Sequence, residues 1–315
     1  MKIGIIGSGA MGSVYAALLG DAGHDVWMFD RWAEHIEAVR RAGIRVEGAS
    51  GDQTVRVSAT CEAEEAGPCD LAVVATKAMD TGQAVRDGAA MVGPDTLVLT
   101  LQNGLGNAEQ IARVHDRERI LGGIAGGFGA AVVAPGHVYH ENWKALHMAE
   151  LQGPITPRLE RTGRVWSEAG FKVGLAHDVD SMVWGKLLGN IAVSAPSTVS
   201  RLRIGQLRAN AWAWGNALEC VRETLAVARA KGIELPHPDP FEWLEEFVAA
   251  LPTTRPSMLQ DVEAGRPTEI DFIHGGVVRE GEALGVPTPT CRVMVSLVKA
   301  LEDRTRELGS AFGSL

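Results

Sequence analysis

A glycine fingerprint placed directly after an apolar run constrains this chain most: residues 3–12 read Ile-Gly-Ile-Ile-Gly-Ser-Gly-Ala-Met-Gly. Such an order fits a buried strand, a tight turn and a helix. Gly7 permits the strand-to-helix turn, Gly9 lets backbone approach a pyrophosphate, and Gly12 lets a helix over Ala10–Ala22 pack closely on its strand. The N-terminus of that helix would face the phosphates, which makes Gly7, Ser8, Gly9, Ala10, Met11 and Gly12 a candidate nucleotide cradle. A second strand, Asp25–Phe29, ends at Asp30, at the distance where such folds place an acidic residue against a ribose.

With 315 residues the chain has room for two domains, each with a core. Lys and Arg total 30 against 39 Asp and Glu, a net charge of −9 that disfavours nucleic acid as a partner. A small-molecule ligand is expected instead. The four cysteines, Cys61, Cys69, Cys220 and Cys291, show neither metal-ligand spacing nor a disulfide framework, so no metal is expected and a cytoplasmic location is the default. The apolar N-terminus is broken by Gly4, Gly7, Gly9 and Gly12 and reads as a first strand rather than a signal peptide. No run of about eighteen apolar residues suggests a membrane span.

Short apolar runs then alternate with helical stretches: Leu71–Ala75 and Thr81–Ala90, Leu97–Leu101 and Asn107–Val114, then Ile120–Ile124. This alternation predicts a parallel sheet with crossover helices. Residues His137–Met148 read as an exposed hairpin, followed by a helix near Pro157–Ala169 and a strand Lys172–Gly174. From about Asp178 the pattern turns helical, with candidate helices Ser181–Val193, Ile204–Lys231, Pro240–Leu251, Pro256–Glu263, Glu269–Leu284 and Pro289–Glu307. The polar tail after Arg304 is expected to fray. The expected fold class is therefore α/β, with an N-terminal Rossmann-type parallel-sheet domain over 1–176 and a C-terminal all-α domain over 177–315. Within the latter, the tryptophan-bearing stretch Ile204–Lys231, with Trp212 and Trp214 as core or interface anchors, is a candidate homodimer surface.

Four further segments carry chemistry: Thr76-Lys77-Ala78, Gln102-Asn103-Gly104-Leu105-Gly106, Trp184-Gly185-Lys186-Leu187-Leu188-Gly189-Asn190, and Ser257-Met258-Leu259-Gln260-Asp261 continuing to Thr268-Glu269-Ile270-Asp271-Phe272-Ile273. Together with the fingerprint, in this order and over nearly the whole chain, they resemble the ketopantoate reductases (2-dehydropantoate 2-reductases). The resemblance implies an enzyme that holds NADPH and a branched 2-keto acid between a Rossmann domain and a helical domain.

Reduction of a ketone needs a hydride and a proton for the developing alkoxide, and a lysine can supply the proton while its charge stabilises that oxygen. The resemblance gives this role to Lys186. Asn190 lies one turn on, so both polar groups share a face amid apolar neighbours. The resemblance further implies that Glu269 meets a substrate hydroxyl and helps orient the lysine, that Ser257 binds the substrate carboxylate, and that Asn103 contacts cofactor and substrate. It makes Lys77 a cofactor contact. The residues alone also fit plainer roles: Thr268 with Asp271 as a capping box, Ser257 as a helix cap, Asn103-Gly104 as turn chemistry, Lys77 as a surface lysine. None of the nine histidines falls on a matching catalytic position.

Three positions depart from the family pattern. Ser194 and His274 stand where asparagine is usual, which alters the donors available to a substrate. Asp30 then Arg31 stand where an uncharged residue and arginine are usual. A carboxylate accepts hydrogen bonds from both ribose hydroxyls of NADH and repels a 2′-phosphate, whereas Arg31 attracts one. NAD(P)H is thus the expected cofactor: family precedent favours NADPH and Asp30 leans towards NADH. A dehydrogenase or reductase of another hydroxy acid and a non-catalytic NAD(P)-sensing protein are the alternative functions.

Overall fold

The computed structural model describes residues 1–127, 129–142 and 145–308. Two compact units emerge, one of residues 1–102 and 107–179, the other of residues 103–106 and 180–315.

The first unit is built on strands β1 (Lys2–Ile6), β2 (Asp25–Phe29), β3 (Ile44–Gly48), β4 (Gln53–Val55), β5 (Ser58–Thr60), β6 (Leu71–Val74), β7 (Leu97–Thr100), β8 (Ile120–Ala125), β9 (Gly129–Ala134), β10 (His137–Asn142), β11 (Ala145–Glu150) and β12 (Lys172–Leu175). Its helices are α1 (Ala10–Asp21), α2 (Ala33–Ala42), α3 (Ala63–Ala66), α4 (Thr81–Asp87), α5 (Asn107–Ala112) and α6 (Pro157–Glu168). Eight strands form one sheet in the order β12-β11-β8-β7-β6-β1-β2-β5, parallel except where β11 runs against β8. The run β5-β2-β1-β6-β7-β8 has the strand order of a dinucleotide-binding fold, whose ligands lie beyond the carboxyl ends of the strands. Strands β1, β6 and β7 are buried along almost their whole length, as strands covered on both faces must be.

A second sheet, β4-β3-β10-β9, has no counterpart in the sequence reading, which left residues 44–60 without strands. The expected exposed hairpin over His137–Met148 is likewise corrected. β10 pairs with β9 and β3 in the small sheet, whereas β11 pairs with β8 and β12 in the large one; residues 143–144 of that stretch lie outside the described residues. Buried His35 ties these layers to the fingerprint helix. Its Nε2 meets Ser13 Oγ at 3.1 Å, its Nδ1 accepts from the Gly136 N–H at 3.1 Å, and Ser13 Oγ also donates to the Ser8 carbonyl.

The second unit contains α7 (Val179–Ser200, its first residue counted with the first unit), α8 (Ile204–Ala209), α9 (Ala211–Ala230), α10 (Pro240–Ala249), α11 (Ser257–Glu263), α12 (His274–Leu284) and α13 (Pro289–Leu308). Two expected helices are corrected. The stretch Ile204–Lys231 is two helices broken at Asn210, whose side chain accepts from the Ala213 N–H and caps α9. The helix expected from Glu269 begins only at His274, leaving Glu269 in the preceding turn. Trp214 is buried, but Trp212 is 87% exposed, so the two tryptophans do not act alike. Helix α7 runs on through Pro196, longer than the expected Ser181–Val193, because almost every side chain of its second half is buried in the core with Ile204, Leu244 and Val277. The tail beyond residue 308 lies outside the described residues.

Among the described residues, no helix is long and apolar enough to cross a membrane, and no cluster of three or more His, Cys, Asp or Glu side chains could hold a metal ion.

Candidate active site

Each fingerprint glycine has a distinct steric reason. Gly7 has φ +97°, and a Cβ there would lie 2.7 Å from the Thr76 backbone nitrogen. A Cβ on Gly12 would come within 2.0 Å of the Gly7 carbonyl oxygen. Gly9, by contrast, faces open space: a Cβ would meet no atom within 4 Å. The loop is therefore tight on its protein side and clear where a pyrophosphate would approach, with Gly9 as the N-cap of α1. Ser8, Ala10 and Met11 are the remaining residues of this turn and of the start of α1.

At the end of β2, Asp30 turns its carboxylate back to this loop. Oδ2 accepts the Ser8 N–H at 2.6 Å and Oδ1 accepts the Trp32 N–H at 3.0 Å. Arg31 pairs with Asp80 at 3.1 Å. Lys77 precedes the short 3-10 turn Ala78–Asp80, just beyond β6. Gln102, quoted in its motif but given no role by the sequence, knits the ends of β6 and β7 together: its amide donates to the Thr76 carbonyl at 2.8 Å and to Thr81 Oγ1 at 2.5 Å. These groups fit a nicotinamide dinucleotide, since an open glycine turn, a helix N-terminus and a ribose-level acceptor occur together on one unit.

In the second unit, Lys186 Nζ donates to Asn103 Oδ1 at 2.9 Å, and Asn103 Nδ2 donates to Glu269 Oε2 at 3.0 Å. An ammonium has no acceptor and an ionised carboxylate no donor, so the two ends of the amide can point only this way. Burial pushes the Lys186 amine down to about 8, against the opposing influence of the Glu269 charge, which raises it.

Lys186 is half-buried on an otherwise apolar stretch of α7. Trp184, Leu187 and Leu188 are buried next to the lysine. Gly185 and Gly189, one turn apart, let other side chains close on the helix: a Cβ at Gly185 would be 2.5 Å from Pro236 Cγ, and one at Gly189 would be 3.1 Å from Phe247 Cζ. His237 stacks on Trp243 at 4.0 Å and Trp243 on Phe247 at 5.3 Å, so an aromatic wall packs on α7 at Gly185 and Gly189.

Asn103 is set by the turn that carries Glu269. Leu105 N–H donates to the Phe272 carbonyl at 2.8 Å, and Gly104, at φ +79°, packs so closely that a Cβ would lie 2.4 Å from the same oxygen. The turn itself is held by α13. Glu302 accepts the Thr268 N–H at 2.7 Å, and Lys299 pairs with Asp271 at 2.5 Å. The expected capping box does not form: Thr268 Oγ1 accepts from the Ile270 N–H, and the Asp271 carboxylate is engaged by Lys299.

Asn190 is half-buried one turn beyond Lys186, and Ser194 is buried a turn further on. Ser257 is exposed at the first position of α11, behind Pro256, and makes no helix cap. His274 is wholly buried and its Nε2 meets the Ile191 carbonyl of α7 at 3.1 Å, so it joins α12 to α7 instead of facing a ligand as its position in the motif suggested.

The family model described as Ketopantoate reductase PanE/ApbA matches residues 3–153, and that described as Ketopantoate reductase PanE/ApbA C terminal matches residues 178–302. A 2-dehydropantoate 2-reductase of Archaeoglobus fulgidus is 31% identical over 302 residues, covering 96% of this chain and 98% of the relative. The chain belongs to the ketopantoate reductase family. It is accordingly an NAD(P)-dependent oxidoreductase acting on CH–OH groups. Among solved structures, a PanE/ApbA family ketopantoate reductase from Ralstonia eutropha JMP134 superposes with a TM-score of 0.89 at 31% identity, covering 97% of this chain and 100% of that one. D-mandelate dehydrogenase, solved with NADH and anilino(oxo)acetate, superposes with a TM-score of 0.90 at 28% identity over 97% of this chain and 100% of that one.

Proposed function

We propose that this family member reduces a branched 2-keto acid, 2-dehydropantoate before others, to the 2-hydroxy acid, with Lys186 as general acid and NADH as the preferred nucleotide. The observation that carries this reading is the hydrogen-bonded run Lys186–Asn103–Glu269 around a lysine whose pKa is lowered to about 8. An ammonium with that pKa is a stronger acid than a free lysine and remains charged at neutral pH, which suits a proton donor to an alkoxide.

The nicotinamide cofactor, when bound, supplies the hydride. Lys186 presents its ammonium to the substrate carbonyl oxygen, stabilises the charge developing there and gives up one proton to it. Asn103 fixes the direction of the Nζ, and Glu269 keeps the site electrically balanced while offering an acceptor to a substrate hydroxyl. Asn190 and Ser194 continue the same side of α7 and contribute hydrogen bonds to the substrate, and Ser257 is assigned to its carboxylate. Gly7 to Gly12, Asp30, Arg31, Lys77 and Asn103 serve the nucleotide. The lean to NADH rests on Asp30, whose carboxylate is fixed at the loop by two backbone N–H groups and would repel a 2′-phosphate.

A second reading, turnover of another 2-hydroxy acid with an aromatic or bulky apolar side chain, draws on the His237–Trp243–Phe247 wall on α7 and on the likeness to D-mandelate dehydrogenase. One panel separates the two. Rates with 2-dehydropantoate, branched aliphatic 2-keto acids and benzoylformate, each with NADH and NADPH, should give the highest kcat/KM with 2-dehydropantoate and NADH; benzoylformate ahead by tenfold would favour the second reading.

A further inference from the structure

Arg31, which follows Asp30 in the chain, pairs with Asp80 in the first unit, and we propose that Asp80 is a determinant of nucleotide choice, acting by holding Arg31. This rests on the reading that NADH is preferred.

Strands β2 and β6 flank β1 on either side, so the segments that follow them leave the sheet next to the fingerprint loop. Asp30 and Arg31 follow β2. The segment after β6 closes on Gly7 through the Thr76 backbone and reaches Asp80 four residues later. There the Arg31 guanidinium donates to Asp80 Oδ1 at 3.1 Å, with the arginine side chain 78% exposed and that of the aspartate 42%. Asp80 makes no side-chain cap on α4, and its carboxylate accepts from the arginine instead.

Arg31 is the group adjoining Asp30 that could meet a 2′-phosphate. Asp80 holds its guanidinium at 3.1 Å. A 2′-phosphate adds negative charge and must draw Arg31 away from Asp80 to be bound. A ribose 2′-hydroxyl needs only an acceptor, which Asp30 supplies. Exposed ion pairs are individually weak, so the selectivity added by Asp80 amounts to about twofold to fivefold on top of that from Asp30.

The test is kcat/KM with NADPH and with NADH for wild type, Asp80→Asn, Arg31→Ala and the Asp80→Asn/Arg31→Ala double variant. We expect the NADPH/NADH ratio to rise about fivefold in Asp80→Asn and to stay unmoved by the same change in the Arg31→Ala background, because the effect runs through the arginine. An unmoved ratio in Asp80→Asn, or an equal rise in both backgrounds, overturns the assignment. A wild type that prefers NADPH overturns the underlying NADH reading instead, so the two failures are distinguishable.

Discussion

The Lys186 ammonium donates to the Asn103 amide oxygen at 2.9 Å although 83 residues separate them in the chain. That bond fixes the lysine's direction, and the same amide passes on to Glu269, so the proton donor, its guide and its counter-charge form one unit whose behaviour can be tested piece by piece.

The pH dependence follows from the lowered lysine pKa. Reduction consumes the protonated amine, which predominates below about pH 8 and is lost above it. We expect kcat/KM for reduction to be level below that point and to fall about tenfold per unit above it, while oxidation of the hydroxy acid rises over the same range. Glu269 raises the lysine's pKa. Glu269→Gln should therefore move the break to lower pH, and a break that stays in place would show that the carboxylate does not act on the lysine.

Glu269→Ala should weaken substrate binding as well as turnover, since a hydroxyl partner contributes before the chemical step. Kinetics left intact with only a lower Tm would instead assign Glu269 to holding its turn.

Gly104 offers a backbone test. At φ +79° and with the Phe272 carbonyl 2.4 Å from any added Cβ, alanine must push the Asn103 loop off the Glu269 turn. We expect Gly104→Ala to cost about 1–3 kcal/mol of stability and to lower kcat by more than tenfold through displaced Asn103. Full activity in that variant would show that the loop's docking does not govern the site.

For the nucleotide, Asp30→Asn should raise the NADPH/NADH ratio of kcat/KM by about tenfold, since a charge-assisted contact is worth about 1.5–3 kcal/mol, and Arg31→Ala should remove most remaining NADPH use. A strong wild-type preference for NADPH that Asp30→Asn leaves unaltered would mean that Arg31 alone sets the choice.

Local chemistry made much of this legible. Gly7, Gly9 and Gly12 carry their steric reasons in their spacing, and the structure shows the two tight contacts and the one open face that such spacing implies. Apolar runs announced β1, β6 and β7 because strands buried on both faces leave no polar positions. What escaped the sequence depends on distant partners. The small sheet needs β10 to reach β3, some ninety residues away, a pairing that no local pattern announces. Asn210 interrupts a helical pattern because it caps the next helix, and Glu269 is held out of α12 by Glu302 and Lys299 of α13. His274 looked like a substrate donor from its place in the motif, yet its contact with the Ile191 carbonyl buries it. The Arg31–Asp80 pair had no local signal at all; it follows from β2 and β6 flanking β1.

Replacing the proton donor tests the mechanism most directly. In Lys186→Ala, assayed for 2-dehydropantoate reduction with saturating NADH, we expect kcat to fall by about a hundredfold or more while the Kd for NADH, read from nucleotide fluorescence, stays within about twofold of wild type. Turnover that survives the substitution would contradict the assignment of Lys186 as general acid.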